Sequence, residues 1–284
     1  MPTTADKRHT FHKLHEAGCF VMPNPWDVGS ARYLQGQGFK ALASTSAGFA
    51  FTLGLPDGAV SRDTMLAHFR ELVAATDVPI NADFEGGYAD APEDVAESVR
   101  LCVDTGVAGL SIEDSTMDPK IPLYDFDLAL ARVRAARAAI DKAGGDVVFT
   151  ARSEGFVRGR PDLPETIRRL KAFAEVGADC LYAPGIKTRE EIAAVVRAVA
   201  PKPVNFLMAA TTTDLTVSEI EALGVRRISL GGTLARAAWT AVKGAAREML
   251  DQGKFTRLAG GVTNPELNAF FRDDMAKRGR KGGP

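Results

Sequence analysis

The amino-acid sequence predicts a single-domain α/β protein with a (β/α)8 (TIM) barrel. Eight short apolar runs, each suited to a buried strand, alternate with eight amphipathic helical stretches between residues 19 and 254. Neighbouring parallel strands need crossover helices of this kind, and eight such units are the number that closes a barrel. A doubly wound open sheet is the runner-up, but no Gly-x-Gly-x-x-Gly follows the first strand to support it.

Each element follows from hydrophobic pattern and boundary residues. The predicted strands are 19–24, 41–46, 79–84, 109–113, 146–151, 179–184, 203–208 and 226–230. The predicted helices are 28–37, 61–76, 92–105, 127–143, 164–176, 188–199, 216–223 and 234–252. Pro92 with two acids marks a first helical turn, and Thr188 with Glu191 forms a capping-box pattern. Left-handed glycine caps are predicted just after four helices, at Gly38, Gly106, Gly177 and Gly224.

Two segments flank the barrel. Residues 1–18 form an N-terminal segment with a short helix, in which His9, His12 and His15 recur every third residue. A metal site there is disfavoured, because side chains at that spacing drift around a helix. Residues 255–284 form a C-terminal segment that is apolar at first and ends in a basic, glycine-rich tail. Its apolar part is predicted to dock on the barrel or on a neighbouring subunit.

Composition excludes several classes of function. The net charge of −1 over 284 residues gives no general attraction to nucleic acid or membranes. No apolar run approaches the roughly 18–20 residues needed to span a bilayer, and the N-terminus has no apolar signal-peptide core. The three cysteines, Cys19, Cys102 and Cys180, are widely spaced in apolar surroundings. They indicate reduced core residues in a cytoplasmic protein.

The clearest chemical signal is a pair of successive strands that both end in acids. Asn81, Asp83 and Glu85 end the third strand, and Glu113 and Asp114 end the fourth. In a barrel, the active site lies at these carboxyl ends, so the side chains should meet. Clustered carboxylates suit Mg²⁺, with Mn²⁺ as an alternative ion. The competing interpretation is that these acids cap helices and solvate loops.

Polar residues at other strand ends complete a pocket. Trp26 follows the first strand, Ser44, Thr45 and Ser46 end the second, Arg152 ends the fifth, and Asn205 lies in the seventh. Small hydroxylated residues and a guanidinium suit carboxylate binding, and a metal would polarise a neighbouring oxygen. Together these residues predict a pocket for a small 2-oxo acid and its enolate. Gly231-Gly232, after the eighth strand, either binds a phosphate or forms a tight turn, and the turn is favoured.

The connection 115–126 is unusually long and proline-punctuated, which is typical of a lid over a barrel mouth or of a static surface loop. Only His68 lies outside the N-terminal segment, and its helix position places it away from the site. Histidine base catalysis is therefore disfavoured. The proton-transfer candidates are Lys120, Tyr124, Glu85, Tyr182 and Ser115.

From Pro23 to about Lys254 the chain resembles the isocitrate lyase/phosphoenolpyruvate mutase superfamily. The resemblance rests on Asn24-Pro25-Trp26-Asp27, Ser44-Thr45-Ser46-Ala47-Gly48, Leu53-Gly54-Leu55-Pro56-Asp57, the segment 81–88, Ile112-Glu113-Asp114 and Ala151-Arg152. It implies a (β/α)8 barrel, Mg²⁺ at the strand ends and 2-oxo acid ligands. It also implies C–C or P–C bond chemistry next to an enolate, and homotetramers, as dimers of dimers, that exchange the eighth helix between subunits.

The resemblance also implies roles for individual residues. Asp83 matches the metal-binding aspartate and Glu113 the metal-shell glutamate. Residues 44–46 match the segment that binds substrate carboxylate, Asp57 an aspartate near the site, and Arg152 the substrate-binding arginine. Asn81 departs from the pattern, standing where many members have a second acid, and Glu85 is expected to compensate.

Two other departures concern the substrate. Pro184-Gly185 stands where isocitrate-type lyases have Pro-Glu, and Asp118-Pro119-Lys120-Ile121-Pro122 replaces their Lys-Arg-Cys-Gly-His lid motif. The leading hypothesis is a Mg²⁺-dependent lyase that cleaves a C–C bond of a small 2-oxo or 2-hydroxy dicarboxylate, as in oxaloacetate-type decarboxylation. The alternatives are phosphonopyruvate hydrolase or mutase chemistry, and a 2-oxo acid binding protein with little catalysis.

Overall fold

Eight parallel strands form one curved sheet whose first and last strands pair, as the sequence predicts. The structure is a computed structural model that describes residues 2–116, 118–209 and 213–279. The strands are β1 (Phe20–Met22), β2 (Leu42–Ala43), β3 (Ile80–Asp83), β4 (Gly109–Glu113), β5 (Val148–Arg152), β6 (Cys180–Tyr182), β7 (Val204–Leu207) and β8 (Arg227–Ser229). The sheet order is β1-β8-β7-β6-β5-β4-β3-β2. Between β1 and β2, the N–H of Ala43 donates to the carbonyl of Pro23 at 3.1 Å, so the barrel is nearly closed.

The helices cover the outside of this barrel. They are α1 (Thr4–Leu14), α2 (Val28–Gly36), α3 (Ser46–Thr52), α4 (Arg62–Ala75), α5 (Pro92–Val103), α6 (Phe126–Lys142), α7 (Leu163–Glu175), α8 (Arg189–Val199), α9 (Val217–Ala222), α10 (Thr233–Gln252) and α11 (Asn264–Lys277). In the parts of the chain that the structure describes, no helix combines the length and apolarity needed to cross a bilayer.

The predicted helix boundaries are confirmed at the residues that signalled them. Thr188 and Glu191 form the reciprocal capping box of α8, and Pro92 is the first residue of α5. Gly38, Gly106 and Gly177 adopt φ angles of 95°, 85° and 106°, so they take the left-handed conformation that ends a helix. The glycine after α9 behaves in the same way.

The second strand was predicted too long. It ends at Ala43 rather than at residue 46, and Ser46 begins α3, a helix that the sequence analysis did not predict. The cause is Thr45, whose hydroxyl accepts the N–H of Gly48 at 3.2 Å and caps α3. The turn therefore brings the hydroxylated segment directly over the barrel mouth.

Helix α1 closes the amino-terminal end of the barrel. Phe11 is fully buried there in a small apolar cluster with Met22, Ala43 and Val148. Lys7 Nζ donates to the carbonyl of Val73 at 2.8 Å, which fixes α1 to the end of α4. The larger apolar cluster lies between the sheet and the surrounding helices. The barrel is thus sealed at the end opposite to the predicted site.

The C-terminal segment docks on the barrel of its own chain. Arg32 of α2 holds the carboxylate of Asp274 of α11 with two nitrogens, and the rings of Tyr33 and Phe270 lie 4.9 Å apart. Residues 280 and 281 of the basic tail lie outside the described residues. Helix α10, in contrast, leaves apolar side chains in solvent, among them Trp239.

Candidate active site

Two adjoining cavities open at the carboxyl ends of the strands. The inner chamber, of about 190 Å³, reaches into the barrel and is lined by Ser44, Tyr182 and Asn205 among others. The outer chamber, of about 250 Å³, is lined mainly by charged residues, including Glu113. Ser46, Asp57, Arg152, Glu154 and Val157 line both chambers. A ligand can therefore extend from one chamber into the other.

Arg152, the last residue of β5, stands at the junction of the chambers. Its Nη1 lies 2.7 Å from Asp83, its Nη2 3.0 Å from Glu113, and its Nε 2.9 Å from Glu154. Burial opposes the charge of this guanidinium, but the three carboxylates raise the pKa of Arg152 well above its ordinary value. The predicted convergence of Asp83, Glu113 and Arg152 is therefore present in the structure.

Asp83 is held from the opposite side by the segment before α3. The backbone N–H and hydroxyl of Ser46 donate to Asp83 Oδ2 at 3.0 and 3.1 Å. Ser44 Oγ accepts the backbone N–H of Asp83 at 2.8 Å. Because Thr45 caps α3, these three neighbouring residues orient Asp83 and close one wall of the inner chamber.

Glu113 is buried at the floor of the outer chamber. Ser115 donates a hydrogen bond to its Oε1, and Arg158 Nη2 lies 3.1 Å from the same oxygen. Burial opposes ionisation, but Arg152, Ser115 and Arg158 together keep the pKa of Glu113 below its ordinary value. Glu113 is therefore a carboxylate shared by two guanidinium groups.

Two further acids, Asp57 and Glu85, face the same space, and neither forms an ion pair within the described parts of the chain. Burial, followed by the charge of Asp83, raises the pKa of both Asp57 and Glu85, and that of Glu85 reaches about 7. Tyr88 donates to Glu85 Oε1 at 3.0 Å. Glu85 and Tyr88 both have positive φ angles, 48° and 58°, so the turn after β3 holds them in strained conformations.

This donor set fits a divalent cation. Asp57, Asp83, Glu85 and Glu113 provide hard oxygen ligands, and burial together with the neighbouring carboxylate of Asp83 raises the pKa of Asp57 and Glu85. In residues 2–116, 118–209 and 213–279, no three acidic, histidine or cysteine side chains are close enough to share one ion. One or two carboxylates with water would hold it, as is usual for Mg²⁺.

The inner chamber is polar and carries an unpaired positive charge. Asn205 Nδ2 donates to Ser229 at 2.9 Å, and Arg227 Nε donates to Asn205 Oδ1 at 2.8 Å. Arg227 is buried, and among the described residues it makes no ion pair with a carboxylate; its Nη2 donates to Thr150. Among the described residues, the buried Oδ1 of Asn81, two residues before Asp83 on β3, has no hydrogen-bond partner. The charge of Arg227 favours an anionic guest, whereas the Asn81 oxygen accepts only a donor group or a cation.

Other predicted residues lie at or beyond the edge of the site. Tyr124 lines a third cavity, the side chamber, with Glu85 and Glu113; it hydrogen-bonds Asp90, and its pKa is raised to about 12 by burial and that contact. Lys120 is exposed on the 115–126 connection, outside the walls of the three chambers. Trp26 packs near Gly48 and also lies outside those walls.

Asp27 and Asp114 are acids at strand ends that make structural contacts outside the chambers. Asp27 caps α2 by accepting the N–H of Ser30 at 2.7 Å. Asp114 is buried against Arg169 at 3.1 Å and accepts the backbone N–H of Glu154 at 2.8 Å. Asp114 therefore supports the loop after β5 rather than the chambers.

Sequence reasoning gave no role to two charged residues of the site, Glu154 at the end of the fifth strand and Arg158 beyond it. Glu154 contacts Arg152, and Arg158 contacts Glu113. Burial, and then Glu113, raise the pKa of Glu154, against the effect of Arg152. The sequence signal that could have found both residues is their position two and six residues after Arg152, close to the carboxyl end of a barrel strand.

Comparisons with known proteins agree with this geometry. A sequence model of the family described as phosphoenolpyruvate phosphomutase matches residues 11–250. A crystal structure from Burkholderia cenocepacia, described only as a lyase or mutase, is 46% identical, with a TM-score of 0.90 over 94% of this chain and 96% of that one. A structure of oxaloacetate acetylhydrolase with oxalate is 28% identical, with a TM-score of 0.81 over 98% of each chain. Oxaloacetate decarboxylase of Paraburkholderia xenovorans is 31% identical over 70% of this chain and 67% of that protein.

Proposed function

The chain belongs to the phosphoenolpyruvate mutase family, within the isocitrate lyase/phosphoenolpyruvate mutase superfamily, and we propose that it is a Mg²⁺-dependent C–C lyase. Its substrate is a small 2-oxo or 2-hydroxy dicarboxylate, and oxaloacetate-type decarboxylation is the reaction we favour. The observation that carries the proposal is the convergence of Asp83 and Glu113 on Arg152 at the barrel mouth. Two relatives named for oxaloacetate chemistry support the substrate class.

Asp83 and Glu113 are the residues that would hold the metal, with Glu85 and Asp57 facing the same space. When bound, Mg²⁺ polarises the 2-oxo group of the substrate and lowers the energy of the enolate. Asp83 is oriented by Ser46, and Glu113 by Ser115. The chain therefore presents both carboxylates in fixed positions, which reduces the reorganisation needed during the reaction.

The first carboxylate of the substrate occupies the inner chamber. Asn205 and the hydroxylated segment 44–46 line this space, and the buried charge of Arg227 favours an anion there. Arg152, at the junction, then donates to the substrate in place of part of its present contacts with three carboxylates. A bidentate guanidinium fixes the plane of the 2-oxo acid, so that the bond to be cleaved can stand perpendicular to the carbonyl plane and overlap its π orbital.

Decarboxylation breaks the bond between C3 and the departing carboxylate. The electron pair of that bond moves through C2 to the 2-oxo oxygen, which becomes an enolate, and carbon dioxide leaves. The guanidinium of Arg152 lies next to the developing negative charge and stabilises it. A proton is then added at C3.

Tyr124 is the proton donor we favour among the candidates named from the sequence. It lines the side chamber beside Glu113, and its raised pKa of about 12 keeps the hydroxyl protonated at neutral pH. Lys120 is exposed outside the chambers, and Ser115 is engaged with Glu113. Replacing Tyr124 by Phe should slow product protonation without abolishing substrate binding.

The 115–126 connection is proposed to close over the outer chamber during turnover. Ser115 and Leu123 form an antiparallel bridge, and the N–H of Thr116 donates to the carbonyl of Pro122 at 3.0 Å. Residues 115–116 therefore pair with residues 122–123 in a short antiparallel arm next to Glu113. An arm moving as a unit would exclude water from the enolate.

We also propose that the chain assembles as a homotetramer, a dimer of dimers that exchanges α10. Trp239, Val242 and Leu250 of α10 are 50%, 57% and 87% exposed in the single chain. A helix with this much exposed apolar surface needs a partner, and a second copy provides a symmetric one. Light scattering of the purified protein measures the mass, and a monomer at working concentration would contradict this assembly.

The function is tested by incubating the protein with 2-oxo acids, including oxaloacetate, and following pyruvate formation with Mg²⁺, with Mn²⁺ and with EDTA. The Asp83→Asn variant controls for metal-driven decarboxylation in solution, and it should be slower by roughly 100-fold or more. Absence of protein-dependent C–C cleavage would reject the lyase. Release of phosphate from phosphonopyruvate would instead indicate P–C chemistry.

A further inference from the structure

We propose that Arg158 binds the second, distal carboxylate of the substrate and thereby selects four-carbon dicarboxylates over 2-oxo and 2-hydroxy monocarboxylates. The inference rests on the proposed function, because it assigns the other end of the same ligand. It makes Arg158 a specificity-determining residue, whereas Arg152 serves the first carboxylate and the 2-oxo oxygen.

Arg158 has donors to spare at the wall of the outer chamber. Its Nη2 contacts Glu113 Oε1 at 3.1 Å and Ser115 Oγ at 3.0 Å. Within the described parts of the chain, its Nε and Nη1 have no protein partner. Three of its five N–H donors are therefore available to a ligand, and 40% of the side chain is exposed.

The backbone fixes where this guanidinium stands. The N–H of Arg158 donates to the carbonyl of Glu154 at 3.0 Å, and that of Arg160 to the carbonyl of Gly155 at 2.8 Å. A Cβ on Gly155 would lie only 2.9 Å from the carbonyl oxygen of Arg160, so the turn is too tight for another residue. Arg158 is thus presented at a set distance from Arg152 on the preceding strand.

The two guanidinium groups face one small space. Arg152 contacts Oε2 of Glu113, and Arg158 contacts Oε1 of the same group. When the first carboxylate of a four-carbon diacid lies in the inner chamber beside Arg152, its second carboxylate extends into the outer chamber, which Arg158 lines. A three-carbon monocarboxylate has no second carboxylate to place there.

Charge makes the assignment specific. The acids that line the outer chamber include Asp57, Glu85 and Glu113, and a second substrate carboxylate there would be repelled by them. Arg152 and Arg158 are the cations among the residues lining that chamber. Because Arg152 serves the first carboxylate, Arg158 is the group that can compensate the second.

Binding calorimetry with malate and lactate tests this inference without requiring turnover. Both are 2-hydroxy acids, and they differ in the distal carboxylate. With Mg²⁺ present, Arg158→Gln should weaken malate binding at least about tenfold while changing lactate binding less than about twofold. Arg160→Gln is the matched control, because Arg160 is an exposed arginine on the same loop with no side-chain hydrogen bond within the described ranges.

Three results would overturn the inference. The first is wild-type protein that binds malate no more tightly than lactate, and the second is unchanged malate binding in Arg158→Gln. The third is equal weakening of both probes, which would mean that Arg158 only holds Glu113 in place. Thermal unfolding of each variant verifies folding. Because no reaction is measured, failure of the lyase assay and failure of this inference are distinguishable.

Discussion

His68 makes the stability of the protein depend on pH in a way that one substitution should remove. Its ring is buried in α4 and stacks on Phe49 of α3 with the centroids 3.8 Å apart. In the part of the chain that the structure describes, Nε2 has no hydrogen-bond partner. Burial lowers the pKa of His68 from its ordinary 6.5 to about 4. We therefore predict that His68→Phe, which keeps the stack, abolishes one component of acid destabilisation.

The sign and size follow from proton linkage. Between pH 6.5 and about 4, the unfolded chain binds a proton at this histidine and the folded chain does not, so stability falls on acidification. The pKa values of about 4 in the folded chain and of 6.5 in the unfolded chain correspond to a loss of about 3 kcal/mol in the free energy of unfolding once the pH is below both values. At pH 5.5 the expected loss relative to pH 7.5 is about 1 kcal/mol.

Urea unfolding followed by circular dichroism at pH 7.5, 6.5 and 5.5 measures this component. The wild type and His68→Phe share all other titrating groups, so the difference between their pH slopes isolates His68. The variant should lose about 1 kcal/mol less than the wild type over this range. Parallel slopes for the two proteins would refute a buried neutral imidazole at this position.

Three further predictions concern packing. Arg169→Met should lower the free energy of unfolding by about 3–5 kcal/mol, because it leaves the buried carboxylate of Asp114 without its ion-pair partner. Chemical denaturation measures this loss, and a loss below about 1 kcal/mol would contradict the prediction. Phe11→Ala should lower the free energy of unfolding by about 3–5 kcal/mol, because it leaves a cavity at the closed end of the barrel. Unchanged stability would show that α1 does not close this end. Gly36→Ala should loosen α11, because its new Cβ would lie 2.5 Å from the ring of Phe270; faster proteolysis of α11 is the expected readout, and wild-type resistance would argue against this docking.

The strands could be predicted because their ends coincide with changes in polarity. The run 109–113 agrees with β4, since Glu113 follows four residues that fit a buried strand. Ser44-Thr45-Ser46 was misassigned because hydroxylated residues suit both strand ends and helix caps. Local sequence does not decide between them; the cap that Thr45 forms on α3 does.

The site was predicted to the extent that barrel geometry alone brings strand ends together. Asp83, Glu113 and Arg152 lie on β3, β4 and β5, three adjacent strands, so topology places them within reach of one another. Arg158 could not be placed in the same way, because its position depends on a turn after the strand. The turn at Gly155 is held by backbone contacts within residues 154–160, and hydrophobic periodicity does not encode them.

Because α1 closes the amino-terminal end of the barrel, the interior opens to solvent at the carboxyl ends of the strands. With Phe11 filling the far end, a ligand enters and leaves through the mouth. If the proposed decarboxylation takes place here, both products must leave by that same route. The product held in the inner chamber would then leave last, so carbon dioxide would be released before pyruvate, and added pyruvate would compete with the incoming diacid.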